Sequence, residues 1–148
     1  MRHLDSLELR IHPPVLLMIF ALPTLFGEWS YWLHPLSMVL VIVAGVLGLN
    51  ALIHFLIAGT TYKPHRPELT QSLVTSGVYR WSRNPMYLGL VLLLTALYLA
   101  SRAWWGVFFV PLFVLWLQRF QIRVEERILQ QRFGAKYQDY CRRVRRWC

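Results

Sequence analysis

Residues 85–120 read PMYLGLVLLLTALYLASRAWWGVFFVPLFVLWLQRF, an apolar stretch that is broken only by the Ser-Arg pair at 101–102. A single helix of roughly 36 residues would be about 54 Å long, well beyond a hydrocarbon core of about 30 Å. The Ser-Arg pair and the Trp-Trp pair at 104–105 are typical of a turn at the membrane interface. The stretch therefore predicts an antiparallel hairpin of two short spanning helices, residues 85–101 and 104–121.

Two further apolar blocks precede this hairpin, at residues 13–33 and 35–58. Each block is close to the roughly 20 residues that one helix needs to cross the hydrocarbon core. The composition agrees, since 56% of the residues are hydrophobic and the mean hydropathy is +0.39, which is less polar than a soluble domain of this size. The sequence therefore predicts an all-α, polytopic membrane protein that forms a single domain over residues 1–148. Its predicted spans are residues 14–33, 36–58, 85–101 and 104–121.

The distribution of charge predicts the orientation of these spans. Four spans place the N-terminus, the loop 59–84 and the tail 122–148 on one side, and that side carries all of the 16 Lys and Arg residues except Arg102. The positive-inside rule makes this side cytoplasmic. The leader carries Asp5 and Glu8 and the first block lacks a small-residue cleavage site, so no cleavable signal is expected. Short loops with this charge pattern favour a bacterial inner membrane.

The net charge of +9 invites a nucleic-acid interpretation, but no recognition motif accompanies it. Most of the excess lies in the tail directly after a span, so attraction to anionic membrane lipids explains it more simply. The tail has apolar residues mostly three or four apart, and Gly134 interrupts them, which predicts two amphipathic helices near the membrane. Cys141 and Cys148 have no nearby histidine and are interpreted as reduced thiols, with no metal site expected.

Polar motifs flank the hairpin at both ends. Before it stand Gly77-Val78-Tyr79-Arg80 and Arg83-Asn84-Pro85-Met86-Tyr87-Leu88-Gly89; after it stand Glu125-Glu126, Phe133-Gly134, Tyr137 and Tyr140. Over roughly residues 60–147, these motifs resemble the isoprenylcysteine carboxyl methyltransferase and phospholipid methyltransferase superfamily. The resemblance implies an integral membrane enzyme that uses S-adenosylmethionine, with a cofactor pocket built from the last two membrane helices and the cytoplasmic segments beside them. The family's usual Arg-His-Pro is Arg83-Asn84-Pro85 here, so no histidine base is carried over.

The chemistry of this methyl donor agrees with the flanking residues. Its carboxylate suits Arg83 or His65, its amine or ribose suits Glu125 or Glu126, and its adenine suits the ring of Tyr79 or Tyr87. The candidate cofactor-binding residues are His65, Val78, Tyr79, Arg83, Asn84, Pro85, Tyr87, Gly89, Glu125 and Glu126. Simpler interpretations remain open: arginines that reach lipid phosphates, an ordinary helix start at Asn84-Pro85, and surface pairs of the two glutamates with Arg119, Arg123 and Arg127.

Glu126 and Arg132 are the candidate catalytic residues. If the acceptor is an amine, Glu126 is the expected proton acceptor; a carboxylate or thiolate acceptor needs no base, and Arg132 is expected to orient it. Asn50 and His54 lie one turn apart in the second span and are candidate substrate residues, although interhelical hydrogen bonds explain them equally well.

The favoured function is S-adenosylmethionine-dependent methyl transfer at the cytoplasmic face to a lipophilic or small acceptor, which is a carboxylate, amine or thiol. Four spans enclose little space for a bulky lipid, so a homo-oligomer is one way to complete the chamber. The alternatives are an NADPH-dependent membrane reductase of the sterol type and a noncatalytic membrane scaffold.

Overall fold

The computed structural model describes residues 12–29, 34–58 and 72–148, and within these ranges it contains helices and turns but no strand. The prediction of an all-α fold is confirmed. In chain order the elements are α1 (Pro13–Ala21), a 3₁₀ turn (Leu22–Phe26), α2 (Pro35–Ile57), a second 3₁₀ turn (Gly77–Arg80), α3 (Pro85–Ala100), α4 (Gly106–Leu117), a π turn (Gln118–Ile122), α5 (Arg123–Phe133) and α6 (Ala135–Arg143).

Three of the helices begin with a proline, namely Pro13, Pro35 and Pro85. Proline suits the first helical position because its fixed φ matches the helix and the missing N–H would have no partner there. Each of these helices begins without a side-chain capping hydrogen bond. The fixed φ of proline therefore marks the start of these three helices, without help from a capping side chain.

Among the described residues, two helices are long and apolar enough to cross a membrane. One is α2, with 23 residues, and the other runs from Gly106 to Phe133, 28 residues, because the π turn joins α4 to α5 without a break. The helical stretches Pro13–Phe26 and Pro85–Ala100 are apolar but shorter. These lengths and compositions are consistent with a membrane protein.

Helices α2 and α3 approach each other closely at small residues. A Cβ added to Gly89 of α3 would lie 3.1 Å from the backbone oxygen of Ala44 in α2, so a larger side chain would require the two helices to shift apart at this crossing. Leu16 of α1 and Leu94, Phe113 and Leu117 of α3 and α4 form the main core. This packing brings the start of α3 and the last turns of α2 to the same end of the molecule.

Candidate functional site

The chain that leads into α3 rests on the last turns of α2. Gly77 has φ +58°, a conformation that L side chains rarely adopt, and a Cβ added there would lie 1.9 Å from Nε2 of His54. Oγ of Ser76 and Nδ1 of His54 are 3.0 Å apart and form a hydrogen bond. His54, one of the two predicted substrate residues, therefore supports the turn in front of α3.

The second 3₁₀ turn is connected to α6 through a tyrosine pair. The hydroxyl of Tyr140 donates a hydrogen bond of 2.6 Å to the backbone oxygen of Tyr79, and both side chains are buried. The ring of Tyr79 also meets Phe55 of α2 edge-on, with 5.4 Å between the centroids. Burial raises the pKa of the Tyr140 hydroxyl, so it remains a neutral donor at physiological pH.

Arg83 lies at the centre of a charged cluster. Its Nη1 is 3.2 Å from Oε1 of Glu126, and it also donates a hydrogen bond of 2.6 Å to Sγ of Cys141. The side chains of Arg83 and Glu126 are each 15% exposed, so the pair is largely removed from solvent. Nε of Arg83 is buried and has no hydrogen-bond partner in the described part of the chain. The guanidinium therefore keeps an unused donor at this position.

Glu126 also binds the guanidinium of Arg146, in the C-terminal segment. Nε of Arg146 donates to Oε1 of Glu126 at 3.0 Å, and Nη2 donates to Oε2 at 2.6 Å. This hydrogen bond to Glu126 raises the pKa of Arg146. The two arginines thus share one carboxylate, which leaves the cluster of Arg83, Glu126 and Arg146 with one excess positive charge.

A second carboxylate is held beside this cluster. The hydroxyl of Tyr87 donates a hydrogen bond to Oε1 of Glu125, and Tyr87 itself is buried in the main core. Since Tyr87 is in the first turn of α3 and Glu125 is in the first turn of α5, the contact fixes the two helices relative to each other. Two successive glutamates therefore make separate tertiary contacts with the start of α3.

Asn84 is the residue that replaces the family's histidine, and it holds the C-terminal segment. It occupies the N-cap position of α3, but its side chain makes no capping hydrogen bond there. Its Nδ2 instead donates to the backbone oxygen of Arg146 at 3.0 Å, while its backbone N–H donates to Oγ of Ser82 at 3.1 Å. In this chain, the residue at position 84 connects the start of α3 to the tail.

The other predicted site residues have different surroundings. Pro85 is buried, and Val78 packs against a small buried cluster of Ala51, Val74 and Tyr79. Gly89 lies where α3 crosses α2. Arg132, in the last turn of α5, has an exposed side chain and makes none of the cluster's hydrogen bonds given above. His65 lies outside the described residues.

Asn50 lies one turn before His54 in α2. Its Oδ1 is buried and has no hydrogen-bond partner among the described residues. A buried acceptor without a partner is costly, so its presence marks a position where a ligand or a water would be stabilising.

An apolar groove of about 280 Å³ lies between α2 and α3. It is partly open and is lined by Val41, Ala44, Gly45, Gly48, Met86, Gly89, Leu90 and Leu93. The α3 residues of the groove are three or four apart and share one face of the helix, whereas Tyr87, which binds Glu125, is not among them. A linear hydrocarbon chain is the kind of group that such a lining accommodates.

Sequence reasoning missed Arg146 and Cys141 as members of the cluster. Arg146 is one of four arginines within residues 142–146, and no local signal distinguishes it from its neighbours. The distinction arises because the segment after α6 folds back, so that the backbone N–H of Arg83 donates to the oxygen of Arg145 at 3.0 Å.

Comparisons with known proteins identify the family of this chain. The model of a family described as phospholipid methyltransferase matches residues 32–136, well over half of the chain. The chain belongs to the phospholipid methyltransferase family. The family match and the two long apolar helices together indicate a membrane methyltransferase.

Two relatives of this family member show different coverage. An uncharacterized protein from Haemophilus influenzae is 46% identical over 65 residues, which is 42% of this chain and 98% of the relative. A protein-S-isoprenylcysteine O-methyltransferase from Saccharomyces cerevisiae is 40% identical over 93 residues, 53% of this chain and only 33% of the yeast enzyme. The match therefore spans about a third of the yeast protein's length. No solved structure is significantly similar to this chain.

Proposed function

We propose that this chain transfers a methyl group from S-adenosylmethionine to a lipophilic or small acceptor that reaches the site from the bilayer. The observation that carries the proposal is the cluster of Arg83, Glu126 and Arg146 beside the Tyr87–Glu125 pair. The cluster places charged side chains at the start of the apolar helix α3, in a chain that belongs to the phospholipid methyltransferase family.

The donor set fits S-adenosylmethionine. The amino-acid end of this molecule carries a carboxylate and an ammonium group, and its ribose carries two hydroxyls. Arg83 has a buried Nε without a hydrogen-bond partner in the described chain, which suits a carboxylate. Glu125 and Glu126 suit the ammonium or the ribose hydroxyls, and the rings of Tyr79 and Tyr87 suit the adenine. When bound, the cofactor would supply a methyl group activated by its attachment to a sulfonium. Once the methyl group has been transferred, the sulfur remains as a neutral thioether.

The protein's own contribution is to position the reactants and exclude water. The start of α3 is fixed by contacts with α2, α5 and α6, so the side chains of Arg83 and Tyr87 are held before any ligand binds. Preorganised contacts of this kind lower the barrier because little entropy remains to be lost.

The acceptor is proposed to enter through the apolar groove between α2 and α3. The groove's lining favours an alkyl or prenyl chain. Asn50 is not among the lining residues and lies on another face of α2, so its buried Oδ1, unpartnered among the described residues, is a separate candidate contact for a hydrogen-donating group of the acceptor. His54 is engaged with Ser76, so we assign it a supporting role at the same end of α2. A second copy of the chain packing on α2 would enclose the groove further.

The proton requirement depends on the acceptor. Both carboxylate oxygens of Glu126 accept hydrogen bonds from arginines, which favours a role for Glu126 in binding. If the methyl acceptor is an amine, Glu126 is also our candidate for taking up its proton. A carboxylate or thiolate acceptor needs no base, and the exposed side chain of Arg132 is our candidate for orienting it. We place the site at the cytoplasmic face of a four-span protein in a bacterial inner membrane, because the basic residues collect at that end.

Calorimetric titration of the detergent-purified protein with S-adenosylhomocysteine tests the proposal. We expect micromolar binding, and we expect Glu126→Gln to weaken it at least about tenfold because charged hydrogen bonds contribute roughly 1.5 to 3 kcal/mol. Asp139→Asn is the matched control, since Asp139 is exposed and its carboxylate pairs with Arg142, three residues along α6 and away from the cluster. This control should bind like the wild type.

Reduced nicotinamide adenine dinucleotide phosphate is titrated in parallel. Binding of the nicotinamide cofactor alone would replace the proposal with a reductase. Binding of neither compound would favour a noncatalytic scaffold.

A further inference from the structure

The last residues of the chain are attached to the candidate site along their backbone. After α6, Val144 adopts extended geometry and is buried. The oxygen of Arg145 then accepts a hydrogen bond from the backbone N–H of Arg83, and the oxygen of Arg146 accepts one from Nδ2 of Asn84. Residues 144–147 therefore form a strap across the start of α3.

The strap is also anchored at its far end. Trp147 packs, partly buried, against the main core cluster that contains Tyr87 and Leu117. Oγ of Ser82 donates a weaker hydrogen bond of 3.4 Å to the oxygen of Arg146. With backbone contacts before Arg146 and a packed ring after it, the position of this arginine is determined by the fold.

The side chain of Arg146 points into the cluster and not into solvent. It is 31% exposed and makes two hydrogen bonds to Glu126, the carboxylate that also binds Arg83. Two guanidinium groups around one carboxylate leave an excess of one positive charge in a largely buried place. A second anion would balance that charge, and guanidinium groups prefer carboxylates and phosphates.

We propose that Arg146 is a cofactor-binding residue that, together with Arg83, holds the carboxylate of the methyl donor, and that the strap of residues 144–147 forms one wall of the cofactor site. This inference rests on the proposed function. The family match ends at residue 136, before the strap begins.

The test compares two ligands that differ in one group. S-adenosylhomocysteine carries the carboxylate, whereas its decarboxylated analogue keeps the adenosine, the thioether and the amine. Both are titrated calorimetrically into the wild-type protein, Arg146→Ala and Arg142→Ala. Arg142 is the matched control because it lies in α6, outside the strap, its side chain is 79% exposed, and its replacement removes the same charge from the tail.

We expect Arg146→Ala to weaken binding of S-adenosylhomocysteine about 10- to 100-fold, the factor that corresponds to losing a charged hydrogen bond. Binding of the decarboxylated analogue should change by less than about twofold, and Arg142→Ala should leave both affinities near the wild-type values. Arg146→Gln keeps a donor for Glu126 but has no charge, so it should show the same selective loss if Arg146→Ala does not fold.

Equal weakening of both ligands would overturn the inference, because Arg146 would then only maintain the shape of the site. Unchanged binding of both ligands would overturn it as well. A wild-type protein that binds neither ligand would instead refute the proposed function, which separates the two failures.

Discussion

Replacing Gly77 with alanine should destabilise the protein through two separate effects. The first is backbone strain, because the residue has φ +58° and a left-handed conformation costs an L residue about 1–2 kcal/mol. The second is the clash of the new Cβ with the ring of His54, whose Nε2 would be only 1.9 Å away. Moving the ring breaks its 3.0 Å hydrogen bond with Ser76, a loss of about 1 kcal/mol. The total is about 2–3 kcal/mol.

A double-mutant cycle with His54→Ala separates these two effects. In the His54→Ala background, Gly77→Ala should cost only the backbone strain of about 1–2 kcal/mol, since the ring that clashes is gone. The free energy of unfolding is measured by circular dichroism in mixed micelles with increasing SDS. A coupling energy below about 0.5 kcal/mol between the two positions would refute the proposed contact between α2 and the turn before α3.

Two further substitutions test other contacts by the same unfolding assay. Gly89→Val should destabilise the protein by about 1–3 kcal/mol, because the added Cβ would lie 3.1 Å from the backbone oxygen of Ala44. Gly45→Val is the control and should be near neutral, since nothing lies within 4 Å of its added Cβ. Equal losses of stability in the two variants would contradict the close helix crossing. Tyr140→Phe should cost about 1–3 kcal/mol because it leaves the buried oxygen of Tyr79 without its donor; unchanged stability would rule out an anchoring role for this hydrogen bond.

The elements of the fold were largely predictable, because each rests on local signals. Long apolar runs and N-terminal prolines indicate where α2 and α3 begin, and Gly134, at φ +51°, stands between α5 and α6 as its helix-breaking character suggests. The continuous helix from Gly106 to Phe133 was less apparent, since its apolar part ends near residue 121 while a π turn carries the helix onward. Hydrophobicity reports which residues avoid water, whereas helix ends also depend on backbone hydrogen bonds that continue beyond the apolar part.

The candidate site was predictable only in part, for the same reason. The motif around Arg83 and the pair Glu125-Glu126 were prominent in sequence, but their partners were not. Proximity in sequence left open a pairing of the glutamates with Arg119, Arg123 and Arg127. In the structure Glu126 binds Arg83 and Arg146, which are 43 and 20 residues away along the chain.

The sequence by itself determined that this chain is helical, strongly apolar and a phospholipid methyltransferase family member, because composition, periodicity and motifs are properties of neighbouring residues. Tertiary structure alone decided which arginine of the basic tail meets Glu126 and that Asn84 holds the tail. These contacts depend on a chain reversal after α6, which hydrogen bonds from Arg83 and Asn84 to the tail backbone stabilise. Backbone oxygens are the same in every residue, so a contact made to them leaves no mark in the identity of the residue that accepts it.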